Sequence, residues 1–370
     1  MMMNGYAALA RFLEQDPENL PLIADAAQAA FDEGDDDAAA RLIARHAALA
    51  PLPPALGYVD GMLALRGADW ARAAACFEPL LAAGHESPAI RYNLAWAKAM
   101  QREFAAALDL LDDATADALP QAAELQVELL HQLGELDRAG ARARELLARF
   151  PDHRGLNAAA STLAIDLEDE ALARATAAKA GDHPEALITQ ATLALRDGAV
   201  TDAARLFEVA LERAPRAPRA WVGQGLVMLQ AGDAAGAATA LDRGAELFAD
   251  HLGSWIASGW AHLLAGDVQT ARDRFERARA LDDTFSEAHG SLAVIDLLHG
   301  ETEAARRHTE VALRLDRQGF AGALAATLLK AGDGDPDGAQ RLFERALTTP
   351  IDQSGLTVAG ALARMGLAGR

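Results

Sequence analysis

Apolar and small residues recur with a fixed period between Pro184 and Ile351. Five glycines, Gly198, Gly232, Gly266, Gly300 and Gly334, stand 34 residues apart. Five residues after each comes an alanine: Ala203, Ala237, Ala271, Ala305 and Ala339. Four further on is a mostly large apolar residue: Phe207, Leu241, Phe275, Thr309 or Phe343. Three beyond that is a small one: Ala210, Gly244, Ala278, Ala312 or Ala346. Each period reads as two helices. PRAWVGQGLVMLQAGD is one, stopped at Gly232, and AAGAATALDRGAELFAD is the next. Glycine suits the residue just past a helix end because it takes the left-handed conformation without strain. A repeat of this length predicts a solenoid, in which each helix pair buries its apolar side against its own copies.

The alanine column continues towards the N-terminus through Ala171, Ala139, Ala107, Ala73 and Ala39, in steps of 32, 32, 32, 34 and 34 residues. A second small column keeps the same phase: Ala27, Gly61, Ala95, Val127, Ala159, Ala191, Gly225, Gly259, Ala293 and Thr327. Together they place repeat starts near Leu20, Pro54, Pro88, Pro120, Asp152, Pro184, Pro218, Leu252, Ser286 and Phe320. Prolines fall at these junctions, where a first helical turn tolerates a missing N–H. The expected organisation is a capping helix within residues 1–19, an array over 20–351 and a second capping helix within 352–370. Pro79 falls inside the second helix of repeat two and is expected to kink it. Repeats four and five are the weakest, with shorter steps and no glycine directly after Ile165.

These residues resemble the tetratricopeptide repeat family. Trp221 with Gly225, Trp255 with Gly259, and the trios Ala203, Phe207, Ala210 and Ala271, Phe275, Ala278 stand where that family's consensus residues stand, as does Pro215. The resemblance implies an all-α fold: a right-handed α-α superhelix of about ten helix pairs with a concave groove, its terminal faces covered by capping helices.

Composition narrows the function classes. The chain has 370 residues, 51% of them hydrophobic and 5% aromatic, with a net charge of −20. Frequent alanine favours close-packed helices over strands. The negative charge disfavours nucleic acid and anionic lipid, and a partner steered by charge is expected to be basic. The excess is concentrated early: residues 1–119 hold 18 acids against 8 bases. The single cysteine, Cys76, excludes an intrachain disulfide and reads as an inert thiol in an apolar helix. The N-terminal stretch has no basic leader followed by an apolar run, and no window is apolar enough to span a bilayer, so a cytoplasmic location is expected.

The resemblance puts the first helix of each repeat on the concave side. Helical spacing then points Tyr58, Met62 and Leu65 inwards in repeat two, and Tyr92, Asn93 and Trp96 in repeat three. In repeat eight the inward set is Ile256, Trp260, Leu263 and Leu264, and in repeat nine Val294, Leu297 and Leu298. Two apolar, aromatic patches are therefore expected in the groove, to take an amphipathic helix or an extended apolar peptide. Core packing against the next repeat is the competing account of the same residues. Two uses known in the family do not carry over. Members that clamp a terminal carboxylate use cations on successive helices; here Asn93 is flanked by Met62, Glu124 and Glu128, and the carboxylates would repel such a ligand. Members with an asparagine ladder fill one column with asparagine; here only Asn93 and Asn157 occupy it.

Asp333, Asp335, Asp337 and Glu344 match a calcium-loop pattern. Repeat phase argues against it, because Ala339 and Phe343 belong to the core columns and make 339–346 helical. That leaves Glu344 about two turns from the loop, and aspartates at a helix N-terminus account for the rest. No zinc-helix, phosphate-loop, dinucleotide or nucleophile-elbow motif occurs in the sequence. The expectation is a non-enzymatic scaffold or adaptor without a cofactor, binding another protein in its groove. The alternatives are an accessory or substrate-presenting subunit of a separate modifying enzyme or secretion machine, and a self-assembling scaffold.

Overall fold

The computed structural model of the chain describes residues 5–332 and Arg341. Among them are 21 α-helices and no strand, so the all-α, tetratricopeptide-like solenoid expected from the period is the observed fold. The helices belong to two compact units, Met1–Leu163 and Ala164–Arg370.

The first unit holds α1 (Tyr6–Gln15), α2 (Leu20–Asp32), α3 (Asp36–Leu49), α4 (Pro54–Arg66), α5 (Trp70–Ala82), α6 (Pro88–Met100), α7 (Phe104–Asp109), α8 (Asp113–Ala118), α9 (Pro120–Gln132) and α10 (Leu136–Arg149). Helix α11 (Arg154–Asp166) runs across the division. The second unit continues with α12 (Glu170–Ala180), α13 (Pro184–Arg196), α14 (Val200–Arg213), α15 (Pro218–Gln230), α16 (Ala234–Phe248), α17 (Leu252–Leu264), α18 (Val268–Leu281), α19 (Ser286–Leu298), α20 (Thr302–Leu315) and α21 (Phe320–Gly332).

Local chemistry sets the helix starts. Proline occupies the first turn of α4, α6, α9, α13 and α15, where its missing N–H costs nothing. Side chains of Asn19, Asp35, Asp69, Ser87, Asp169, Asp233 and Asp267 accept a backbone N–H from the first turns of α2, α3, α5, α6, α12, α16 and α18. The turn inside each of the first nine repeats is left-handed. Gly34, Gly134, Gly198, Gly232, Gly266 and Gly300 have φ between 72° and 85° there. Ala68, Arg102 and Glu168 take the same conformation, at φ 55°, 65° and 56°. At Gly232 the turn is closed by hydrogen bonds from its own N–H to Leu229 and from the Asp233 N–H to Met228. Ala68 with Asp69, and Glu168 with Asp169, make the same two bonds. The turn geometry therefore persists where glycine does not.

Packing follows the two small columns except in repeat five, where Ala171 is exposed and Ala173, four residues after the capping Asp169, is the buried one. A Cβ added to Gly61 would meet the Phe77 ring, one added to Gly225 the Leu241 side chain, and one added to Gly259 the Phe275 ring. Phe77, Phe207, Leu241 and Phe275 are all fully buried. Each bare glycine thus receives the large side chain of the partner helix, and the pair closes at short range. At the N-terminal end α1 lays Leu13, with Tyr6 and Leu9 beside it, on the apolar cluster of α2, α3 and α4.

Helix α5 contains Pro79 and runs on to Ala82. One local feature was not expected: a break one repeat later, where the second helix is split into α7 and α8. Asp112 causes the restart: its carboxylate accepts from the Thr115 N–H at 2.7 Å and from the Thr115 hydroxyl at 2.6 Å, capping α8. The Leu111 carbonyl freed at the break accepts from the buried Gln126 amide of α9 at 2.7 Å. Gln126 in turn accepts from Arg142 Nε at 2.9 Å and Nη2 at 2.8 Å. Arg142 also pairs with Asp113 and, at 2.7 Å, with Glu145. A polar chain across α8, α9 and α10 thereby replaces the continuous helix.

Candidate functional site

The structure treats the two expected patches differently. Ile256, Trp260, Leu263 and Val294 are buried, at 4%, 0%, 6% and 0% exposure, inside one core cluster with Ala271, Phe275 and Leu292. The Trp260 ring packs edge-on against Phe275 and Phe320, with centroids 5.7 and 6.4 Å away. Leu264 and Leu298 are only half-buried. The expectation that repeats eight and nine offer open anchors is therefore corrected: these side chains fill the interior of the second unit. The physical reason is visible at Gly290, whose Cα lies against the backbone of Ala321 and Gly322. That contact draws α19 and α21 together. The calcium-loop residues Asp333, Asp335, Asp337 and Glu344, and the C-terminal helix expected within 352–370, lie outside the described residues.

The patch of the first unit stays partly open. Tyr58, Met62 and Leu65 on α4, and Tyr92, Asn93 and Trp96 on α6, are all half-buried. Tyr58, Met62 and Leu65 back onto a core formed by Ala64, Phe77, Leu80, Ile90 and Leu94. Tyr92 and Trp96 back onto Ala95, Ala99, Leu111, Ala122 and Leu125. Asn93 joins the two helices: its amide donates to Met62 Sδ at 3.1 Å and to the Tyr58 hydroxyl at 3.4 Å. The Tyr92 and Trp96 rings lie 6.4 Å apart at 33°, and the Tyr58 ring leans on Phe77 at 5.8 Å. Helical spacing sets this up, because residues four apart share a face.

Helix α9 supplies the charge. Burial, together with the nearby carboxylates of Glu124 and Glu128, pushes the Tyr92 phenol up to about 12. Both carboxylates therefore stand near the Tyr92 phenol. Glu124 is also structural. Its carboxylate rests against the Cα of Gly155, where any Cβ would collide with it. His153 Nδ1 is 3.9 Å from Glu124, but that nitrogen accepts the Leu156 N–H at 3.1 Å and caps α11. Burial holds the His153 pKa below its ordinary value, which disfavours an ion pair at this contact. In the sequence Glu124 and Glu128 argue only against a carboxylate ligand; their place beside Tyr92 makes them part of the site. Asn157, the other asparagine of that column, is 1% exposed and donates to Pro151 O and His153 O, so it is fixed in the core.

Cys76 lies outside this band and is inert. Its thiol donates to Asp60 at 3.3 Å, and burial with the adjacent carboxylate pushes its pKa up to about 12. Among the described residues no cluster of histidine, cysteine and carboxylate groups is arranged to hold a metal ion, and no helix is long and apolar enough to cross a membrane.

Comparison with known proteins gives the fold a context. Residues 58–123 and 188–251 match the family model described as tetratricopeptide repeat. No curated protein sequence matches the chain. Among solved structures, an IFIT1 monomeric mutant with Gppp-AAAA is 13% identical, with 100% of this chain and 94% of that chain covered and a TM-score of 0.56. The human IFIT1 dimer with m7Gppp-AAAA is likewise 13% identical, covering 99% and 92%, with a TM-score of 0.55. A tetratricopeptide repeat protein from Parabacteroides merdae is 17% identical over 60% of this chain and 90% of that one, with a TM-score of 0.44. At these identities the likeness is one of fold alone.

Proposed function

We propose that this chain, which matches the tetratricopeptide repeat model over residues 58–123 and 188–251, acts without catalysis, as a scaffold that holds a segment of another protein on the face formed by α4, α6 and α9. One observation carries the reading: Tyr58, Met62, Tyr92 and Trp96 keep an apolar front half open although their backs are in the core. Large aromatic anchors of this kind dominate binding where they sit in partly formed pockets. The segment that fits is amphipathic, with an apolar residue for the aromatic band and a basic residue beside it for the field of Glu124 and Glu128. The Asn93 amide, already spanning α4 and α6, holds the band's shape before the ligand arrives.

The test is affinity capture from the native host with the double variant Tyr92→Ala, Trp96→Ala. Capture is expected to drop at least tenfold, since loss of two aromatic anchors is worth more than about 1.4 kcal/mol. A folded double variant that recovers the same proteins in the same amounts rejects the reading. Light scattering on the purified chain distinguishes self-association: a second copy in the groove makes the mass depend on concentration, and the double variant abolishes that dependence.

A further inference from the structure

Three first helices of the second unit share one device near their start. Trp221, Trp255 and His289 stand 34 residues apart. Each donates a ring N–H to the carbonyl six residues before it: Pro215 O at 2.9 Å, Ala249 O at 3.0 Å and Asp283 O at 2.7 Å. The backbone around those carbonyls differs. At the first and third junctions the turn closes from the Ala217 N–H to Ala214 O and from the Phe285 N–H to Asp282 O. At the second it closes one residue shorter, from the Asp250 N–H to Phe248 O at 2.8 Å. Ala249, in between, has φ 63° and ψ −54°. This is the γ-turn with a positive central φ, the rare and strained form. Pro215 and Asp283, at the same station, have no positive φ. The Ala249 methyl is exposed, so side-chain packing does not offset the strain.

His251 holds this turn. Its ring stacks on Phe248, across the turn, with centroids 4.8 Å apart. Its Nδ1 accepts the Ser254 N–H at 3.1 Å and meets the Ser254 hydroxyl at 2.6 Å, which caps α17. The bond from the N–H needs an unprotonated Nδ1. The charged groups that face the imidazole are Arg219 at the start of α15, Asp166 at the end of α11 and Asp250 in the turn. Arg219 and Asp166 are forked together, Nη1–Oδ1 at 3.2 Å and Nη2–Oδ2 at 2.6 Å. An imidazolium would lose the Ser254 N–H, press against the positive end of α17 and stand beside a second cation. Asp166 and Asp250 attract it, but burial and then Arg219 outweigh them and hold the His251 pKa below its ordinary value.

We infer that the Phe248–His251 junction is an acid-operated switch between repeats seven and eight: the neutral imidazole holds Ala249 in the strained turn, and the imidazolium lets it go. Once the ring leaves Phe248 and Ser254, its stack and cap no longer offset the positive φ. The junction then relaxes to the wider turn that its neighbours use, the bond from Trp255 to Ala249 O is lost, and the angle between α16 and α17 changes. The switch lies in the second unit and stands independently of the face on α4, α6 and α9.

The experiment follows the Trp255 indole N–H by NMR in the full chain from about pH 7.5 to 5.0, assigned with Trp255→Phe, with far-ultraviolet circular dichroism on the same samples. The resonance is expected to move along one titration curve with its midpoint below the ordinary histidine value of 6.5, while the helical signal holds. His251→Asn, a cap that does not titrate, keeps the resonance at its neutral position throughout. Ala249→Gly removes the strain and lowers the midpoint by up to about one pH unit; Ala249→Val, β-branched at a positive φ, raises it. A parent resonance that does not move overturns the inference. So does a His251→Asn resonance that moves as the parent's does, or a pair of Ala249 variants that leave the midpoint in place. A fall in helical signal over the same range also overturns it, because acid would then be unfolding the chain and not the junction.

Discussion

Two glycines on α4 separate helix–helix packing from helix propensity. Gly57 and Gly61 lie one turn apart, and alanine in place of either gains about 1 kcal/mol of intrinsic helix preference. Their surroundings differ. A methyl at Gly57 meets only Leu80 Cδ2, at the ordinary distance of 3.6 Å. A methyl at Gly61 falls 2.6 Å from Phe77 Cζ and 2.7 Å from Cε1. Phe77 is 0% exposed and backed by Tyr58, so its ring has nowhere to go. Forcing an extra carbon into such a core costs about 1–3 kcal/mol. Gly57→Ala is therefore expected to stabilise by up to about 1 kcal/mol, and Gly61→Ala to destabilise by roughly 0–2 kcal/mol, the packing cost less the propensity gain. Guanidinium denaturation followed by far-ultraviolet circular dichroism measures both, as opposite movements of the midpoint. Phe77→Leu introduced into Gly61→Ala should recover part of the loss, because it removes the colliding ring. A Gly61→Ala midpoint as high as that of Gly57→Ala would refute the packing account of the glycine column.

The remaining predictions concern single features. Ala68→Gly relieves a left-handed backbone, and the added freedom of the unfolded chain offsets part of that relief, so a rise in stability of up to about 1 kcal/mol is expected; a lower thermal midpoint contradicts it. Gln126→Leu strips the Leu111 carbonyl and Arg142 of a partner and should cost about 1–3 kcal/mol, with a measurable coupling to Arg142→Ala in a double-mutant cycle. Burial lowers the pKa of both His153 and His251, with Arg219 adding to the effect at His251, and each uses Nδ1 as a helix cap. The unfolded chain therefore binds more protons than the folded one below the ordinary value of 6.5. Stability is full above that pH and falls as the solution is acidified through it; a flat profile from 7.5 to 5.5 in the parent rejects the capping role. Cys76, with its thiol held near 12, should react with a maleimide at neutral pH far more slowly in the native chain than in denaturant, and equal rates reject its assigned environment.

Much of the fold was legible before any coordinates. The 34-residue period and the Ala–Phe–Ala columns carry the packing rules themselves, because a bare glycine opposite a phenylalanine is a statement about helix separation. The left-handed turns were legible only where glycine marks them. At Arg102 and Glu168 nothing in the local sequence signals φ above zero; the flanking helices, already docked, hold the connection to that shape. The split between α7 and α8 was missed for the opposite reason. Its local signal, the Asp112 cap, was present, but it competes with a helical pattern that only the pairing of Leu111 with Gln126 overrides.

The candidate site divides along the same line. The family resemblance implied that the first helix of each repeat faces inwards, and the 3.6-residue turn then named the side chains on that face. Whether such a face is open or sealed depends on how closely the next first helix approaches, which is a distance between elements far apart in the chain. In the second unit Gly290 lies against Ala321 and Gly322, and Val294 is sealed in the core. Tyr58, Tyr92 and Trp96 in the first unit stay half-buried, and Glu124 and Glu128 reach Tyr92 from a third helix. Repetition in the sequence thus fixes which residues compete for burial, because identical copies bury identical faces. Which of them win is decided by contacts between copies, because burial is a property of neighbours and not of the residue itself.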